Sequence, residues 1–166
     1  MHLKGVAEVR FEEFAAAHVG PLLRLARLLT GDSGEAEDLV QESLLRAHER
    51  WELVGGARSP AAYMRRLLVN VHRGHRRGRS FDTFLVEAPD RAASTAMAWE
   101  ERVALREALG ALPVRQRTAV VLRFYEDLEI AEVAEWMGLR ESSVRSALAR
   151  ALETLRAAEQ RDRSQW

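Results

Sequence analysis

Residues 127–156 read DLEIAEVAEWMGLRESSVRSALARALETLR, and this stretch decides the fold. It predicts two short helices joined by a tight turn, with Ala134, Gly138 and Val144 as fixed points spaced four and then six positions apart. That spacing is the steric skeleton of a DNA-binding helix-turn-helix. Ala134 is small enough for the second helix to cross close to the first. Gly138 stands where the first helix must stop, and a left-handed backbone costs glycine almost nothing. Val144 faces inward and sets the crossing angle. The outer face of the second helix then carries Ser142, Ser143, Arg145, Ser146 and Arg150. Serine and arginine are side chains that reach phosphates and base edges in a major groove.

Outward from this unit the chain is rich in strong helix formers, with only four prolines and ten glycines among 166 residues. An all-α fold follows. With no cysteine, disulfides and thiolate metal sites are excluded. His72 and His75 lie three apart on a predicted helix with no carboxylate beside them in sequence, so no metal and no cofactor is expected. No apolar run is long enough to cross a membrane, and the N-terminus has no secretory signal; a cytoplasmic protein is the expectation.

Further upstream, Gly20-Pro21 predicts a kink or break in a first helical stretch. Gly31 is a stop signal, and Ser33 is the expected cap of a second helix running to about residue 51. Its inner face is Ala36, Leu39, Val40, Leu44 and Ala47. A glycine-containing loop is expected over 53–58. Ser59-Pro60 then starts a third helix, with serine as N-cap and proline in the first turn. Trp51 reads as core. Residues 80–98 read as a linker, and Pro113 opens a helix ahead of the helix-turn-helix. A frayed tail is expected after residue 156.

The formal net charge is zero, which argues against tight DNA binding by the chain alone. The charge is strongly polarised, however. Residues 32–42 hold five acids and no base, whereas 58–79 hold seven arginines and no acid. No catalytic constellation and no glycine-rich phosphate loop is present, so no enzyme activity is expected.

Three ordered segments resemble the extracytoplasmic-function class of sigma-70-type sigma factors, nearest in wording (LLTGD, VNVHR) to the sigma-E-like group of actinobacteria. LLTGDSGEAEDLVQESLLRAHERW is similar to the family's polymerase-gripping second region. SPAAYMRRLLVNVHRGHRRGR is similar to the part that melts and reads the minus-ten element. Residues 109–156 are similar to the fourth region, which reads the minus-thirty-five element. The resemblance implies two small helical domains, at 8–79 and 99–157, joined by a flexible linker at 80–98. It implies core RNA polymerase and promoter DNA as partners, an anti-sigma factor as a further candidate, and a monomer when free. Asp38, Gln41 and Glu42 are then the expected polymerase contacts. Tyr63, Arg66, Asn70, Arg73, Arg76 and Arg77 are expected at minus-ten DNA, the arginines as a phosphate track and Asn70 toward a base edge. Ser142, Ser143, Arg145, Ser146 and Arg150 are expected at the minus-thirty-five duplex.

Three positions depart from the family pattern. Gly74 stands where an Asp is common. Arg140 precedes the second helix of the turn motif in place of Ser or Pro. Glu129 replaces a capping Ser or Thr, so Asp127 is the expected cap. Two other readings compete: a dimeric helix-turn-helix regulator that binds a palindrome without polymerase, and a degenerate sigma relative that acts only as an interaction protein.

Overall fold

The computed structural model describes residues 10–77 and 99–165, and every regular element among them is helical. The chain start, the 78–98 stretch containing the expected linker and Arg79, and the side chains of Arg76 and Arg77 lie outside the described residues.

Helix α1 spans Phe11–Thr30 and stops at Gly31, whose φ of 71° is left-handed. It is one continuous helix, not the kinked or divided stretch that Gly20-Pro21 predicted. Pro21 removes one bond to the Ala17 carbonyl, but both residues face solvent, where water satisfies that oxygen. Helix α2 (Ser33–Glu49) is capped by Asp32 rather than Ser33: Asp32 Oδ1 accepts the Glu35 N–H at 2.8 Å. Aspartate at this position adds a negative charge at the positive end of the helix dipole.

The expected 53–58 loop begins later. Trp51–Gly55 forms the short helix α3, because Val54 packs into the core at 1% exposure. Trp51 packs edge-on against Phe11 with centroids 5.4 Å apart and lies 5.2 Å from Phe14, a core position as expected. Helix α4 (Pro60–Arg77) starts as predicted, with Ser59 Oγ accepting the Ala62 N–H at 3.3 Å. Its buried stripe includes Tyr63, Met64, Leu68 and Val71.

Helix α5 (Trp99–Gly110) and helix α6 (Val114–Val120) follow. The latter continues as a π-helical turn over Val121–Tyr125, where the Glu126 N–H bonds the Val121 carbonyl five residues back at 3.0 Å. Helices α7 (Ile130–Met137) and α8 (Glu141–Arg163) form the helix-turn-helix. Ala134 and Val144 are buried in the crossing, and Gly138 adopts φ 63°. The Leu139 N–H closes the turn on the Ala134 carbonyl at 2.9 Å, a Schellman-type stop.

The cap of α7 is Glu129, not Asp127: the Glu129 N–H donates to the Glu132 carboxylate at 2.7 Å. Glutamate thus supports the helix start through its backbone, while Asp127 takes a left-handed φ of 55° in the loop before it. The expected fraying after residue 156 does not occur before Arg163; an i,i+4 pair, Glu159–Arg163 at 2.6 Å, lies on the last turns. Buried side chains of both halves form one continuous apolar core, so residues 10–77 and 99–165 pack as a single body.

Candidate nucleic-acid interface

The acidic face of α2 is open. Asp38 and Gln41 are exposed, with Leu45, an exposed apolar residue, one turn beyond. Glu42 is half-buried and occupied: Arg46 bonds its Oε1 at 2.7 Å, and His75 of α4 meets its other oxygen. His75 therefore does have a carboxylate neighbour, which the sequence spacing hid because Glu42 lies on another helix. No cluster suited to a metal ion occurs among the described residues.

The outer face of α8 is also open. Ser142, Arg145, Ser146 and Arg150 are exposed and Ser143 is half-buried. Arg145 rests on Glu141 one turn back, at 3.2 Å, with both side chains largely in solvent. Such an exposed pair contributes little to stability.

The arginine face of α4 is different, because the C-terminal half covers it. Arg66 donates to Glu135 of α7 at 3.0 Å, and its guanidinium lies 5.9 Å over the Trp136 ring. Arg73 donates to the Trp136 carbonyl at 2.8 Å. Arg65 pairs with Glu126 at 2.9 Å, with Glu126 only 4% exposed. Burial raises the Glu126 carboxyl above its ordinary pKa, against the opposing pull of Arg65. Tyr63 and Asn70 are buried in this arrangement. Burial also raises the Tyr63 hydroxyl pKa, with Arg50 acting in the opposite direction.

One further arginine joins the halves. Arg117 of α6, buried to 7% exposure, donates to the carbonyls of Leu29 (3.2 Å) and Thr30 (3.0 Å) at the end of α1. It also donates to Leu109 (2.9 Å) and Leu112 (3.0 Å) in its own half. Sequence reasoning missed Arg117, Glu126, Glu135 and Trp136. The available signal was Arg117 itself, a charge placed at helical spacing with the apolar residues Val120 and Val121.

Family comparison matches residues 14–81 to sigma-70 region 2 and residues 102–155 to sigma-70 region 4. The RNA polymerase sigma-E factor of Streptomyces coelicolor is 36% identical over 152 residues, covering 89% of this chain and 85% of that protein. The chain belongs to the extracytoplasmic-function sigma factors of the sigma-70 family. A second relative, the sigma factor SigL of Mycobacterium tuberculosis, is 31% identical over 84% of this chain and 82% of its own. The fold is shared with the sigma factor RpoE of Bartonella quintana, solved in complex with the anti-sigma factor NepR. That similarity has a TM-score of 0.62 at 21% identity, over 89% of this chain and 94% of that one. In these terms α1 to α4 constitute region 2, and α5 to α8 lie within or overlap region 4.

Proposed function

We propose that this sigma factor binds core RNA polymerase and directs initiation at promoters with minus-thirty-five and minus-ten elements. The observation that carries the reading is the presence of regions 2 and 4 in one chain, in order. A dimeric helix-turn-helix regulator needs only the second of these. Asp38, Gln41 and Glu42 on α2 suit a basic polymerase surface. Arg66, Arg73, Arg76 and Arg77 on α4, with Tyr63 and Asn70 on the same helix, suit a melted minus-ten strand. The open face of α8 (Ser142, Ser143, Arg145, Ser146 and Arg150) suits a duplex major groove.

The domains run over 8–79 and 99–157, with 80–98 as the connecting segment. The protein acts by binding rather than catalysis, as a monomer when free, in the cytoplasm where polymerase works. No described helix is long and apolar enough to cross a membrane. An anti-sigma factor is a further partner, a reading supported by the complex in which the similar Bartonella protein was solved.

Reconstitution with core polymerase from a GC-rich bacterium, followed by genome-wide run-off transcription, tests this. New start sites sharing two spaced upstream elements are the expected result. Polymerase binding without transcripts indicates an interaction-only relative. No polymerase binding at all overturns the reading in favour of the dimeric regulator.

A further inference from the structure

Helices α2 and α4 meet along two ladders of titratable side chains. Glu35, Asp38 and Glu42 follow one another at single-turn spacing on α2, and His72 and His75 do the same on α4. A cavity of about 360 Å³ lies between the helices, lined by Thr30, Glu35, Asp38, Leu39, His72 and His75. His75 also meets Glu42 Oε2 through its Nε2, while Arg46 donates to Glu42 Oε1 at 2.7 Å. Both oxygens of Glu42 are therefore engaged within the chain.

The groups that face His75 decide what its charge does. On α2 they are Glu35, Asp38 and Glu42, with Arg46 acting through Glu42; on its own helix there is His72. The α1 contribution to the lining is Thr30, which carries no charge, and α3 and α7 contribute none of the lining residues. Two of these acids, Asp38 and Glu42, belong to the surface read above as the polymerase contact. Histidine changes charge between about pH 5 and 8, whereas ordinary carboxylates and guanidinium groups keep theirs. An imidazolium pairs with Glu42 as an ion, but a neutral imidazole offers it no more than a hydrogen bond. Neutral His75 leaves the carboxylate to Arg46, its neighbour on the same helix, and the acidic face gains one net negative charge.

We propose that His75 is a positioning residue for the polymerase face: as an imidazolium it holds Glu42 to α4, and as a neutral imidazole it releases Glu42 toward a basic partner. This rests on the reading of α2 as the polymerase surface. Affinity for core polymerase then rises with pH through the histidine range, and by reciprocity polymerase binding expels the His75 proton. The His75 and Glu42 side chains are 46% and 34% exposed, so solvent keeps the effect to about two- to fivefold.

The test has two parts, both on the full chain. In the first, the His75 ring resonances are followed by NMR across the histidine range in the parent and in Glu42→Gln, with His75→Gln assigning them by their loss. Removing the Glu42 charge is expected to lower the His75 midpoint. An unchanged or raised midpoint overturns the proposal, whatever polymerase does.

In the second part, binding to core polymerase is measured at about pH 5.5 and about pH 8 for the parent, His75→Gln and His75→Arg. Each affinity is taken relative to His75→Gln, so that titration of polymerase itself cancels. The parent is expected to bind about two- to fivefold more weakly than His75→Gln at the lower pH and to match it at the higher. His75→Arg, a permanent cation, is expected to stay weaker at both. A ratio of parent to His75→Gln that ignores pH, as a merely structural histidine would give, overturns the proposal, and so does tighter parent binding at the lower pH. The α2 reading is judged separately by Asp38→Asn and Gln41→Ala. If these weaken polymerase binding while the ratio stays flat, the positioning role fails and the α2 reading stands. If they leave polymerase binding unchanged, the α2 reading fails and takes the positioning role with it.

Discussion

Arg73 of α4 and Gly138 at the end of α7 occupy one another's space: a Cβ on Gly138 would lie 2.5 Å from Arg73 Nη2. Gly138 is therefore required twice over, once by its own backbone and once by a side chain from the other half. Gly138→Ala should cost about 1–2 kcal/mol from the left-handed backbone alone. Displacing Arg73 from the Trp136 carbonyl should add to that. In an Arg73→Ala background only the backbone part remains, so in urea unfolding of the four proteins the double variant should lose less stability than the two single variants summed. Equal costs in both backgrounds would mean that Arg73 does not rest on this turn in solution.

The Arg117 guanidinium is held by carbonyls from three chain segments: the end of α1, the end of α5 and the turn before α6. Removing it leaves several buried acceptors without a donor, each costing about 1–3 kcal/mol. Arg117→Met, which keeps the apolar stem, should destabilise the chain by about 3 kcal/mol or more in chemical unfolding. Arg117→Lys should recover only a minority of this, because one ammonium cannot span oxygens that a planar fork reaches in several directions. Full rescue by lysine would show that charge, rather than the fork, holds the seam.

Glu126 makes the seam pH-dependent. Burial raises its pKa above the ordinary 4.5, so the folded chain holds this proton more tightly than the unfolded chain does. As pH rises through 4.5 the unfolded chain ionises first, and Glu126's contribution to stability falls until the folded-state pKa is passed. Above that point the loss is complete. Glu126→Gln should flatten this segment of the stability–pH curve. Arg65→Met should extend it to higher pH, because Arg65 is the group that opposes the shift. A downward shift of the segment in Arg65→Met would contradict the pairing.

Much of the local architecture was legible in the sequence because it follows from short-range sterics. Gly31 and Gly138 end helices where only a left-handed residue fits, and Ser59-Pro60 starts one where an orphan N–H needs an oxygen. Ala134 and Val144 were readable for a related reason, since a close helix crossing admits few side chains. The misreadings concern choices between near-equivalent neighbours, Asp32 against Ser33 and Glu129 against Asp127, and elements decided by their surroundings, such as the unbroken helix around Pro21. The seam was not legible. Arg66–Glu135 and Arg117–Leu29 join residues 69 and 88 positions apart, and polar contacts at such separations leave no periodicity.

On α8, Arg145 and Arg150 differ in what holds them in the free chain. Arg145 is held by Glu141 at 3.2 Å, whereas Arg150 is exposed and its backbone carbonyl accepts the Thr154 hydroxyl one turn on. Under the proposed function, Arg150→Ala should weaken initiation at promoters that depend on the minus-thirty-five element while leaving polymerase binding intact. One lost arginine contact to a phosphate or base edge corresponds to about 1–3 kcal/mol. Glu141→Gln should act in the opposite direction, freeing Arg145 and removing a negative charge from the start of the helix, and so tighten duplex binding slightly. Transcription from a minus-thirty-five-dependent promoter, assayed beside polymerase pull-down, separates the two effects. Unchanged transcription in Arg150→Ala removes that residue from the interface, and reduced polymerase binding would assign it a different partner.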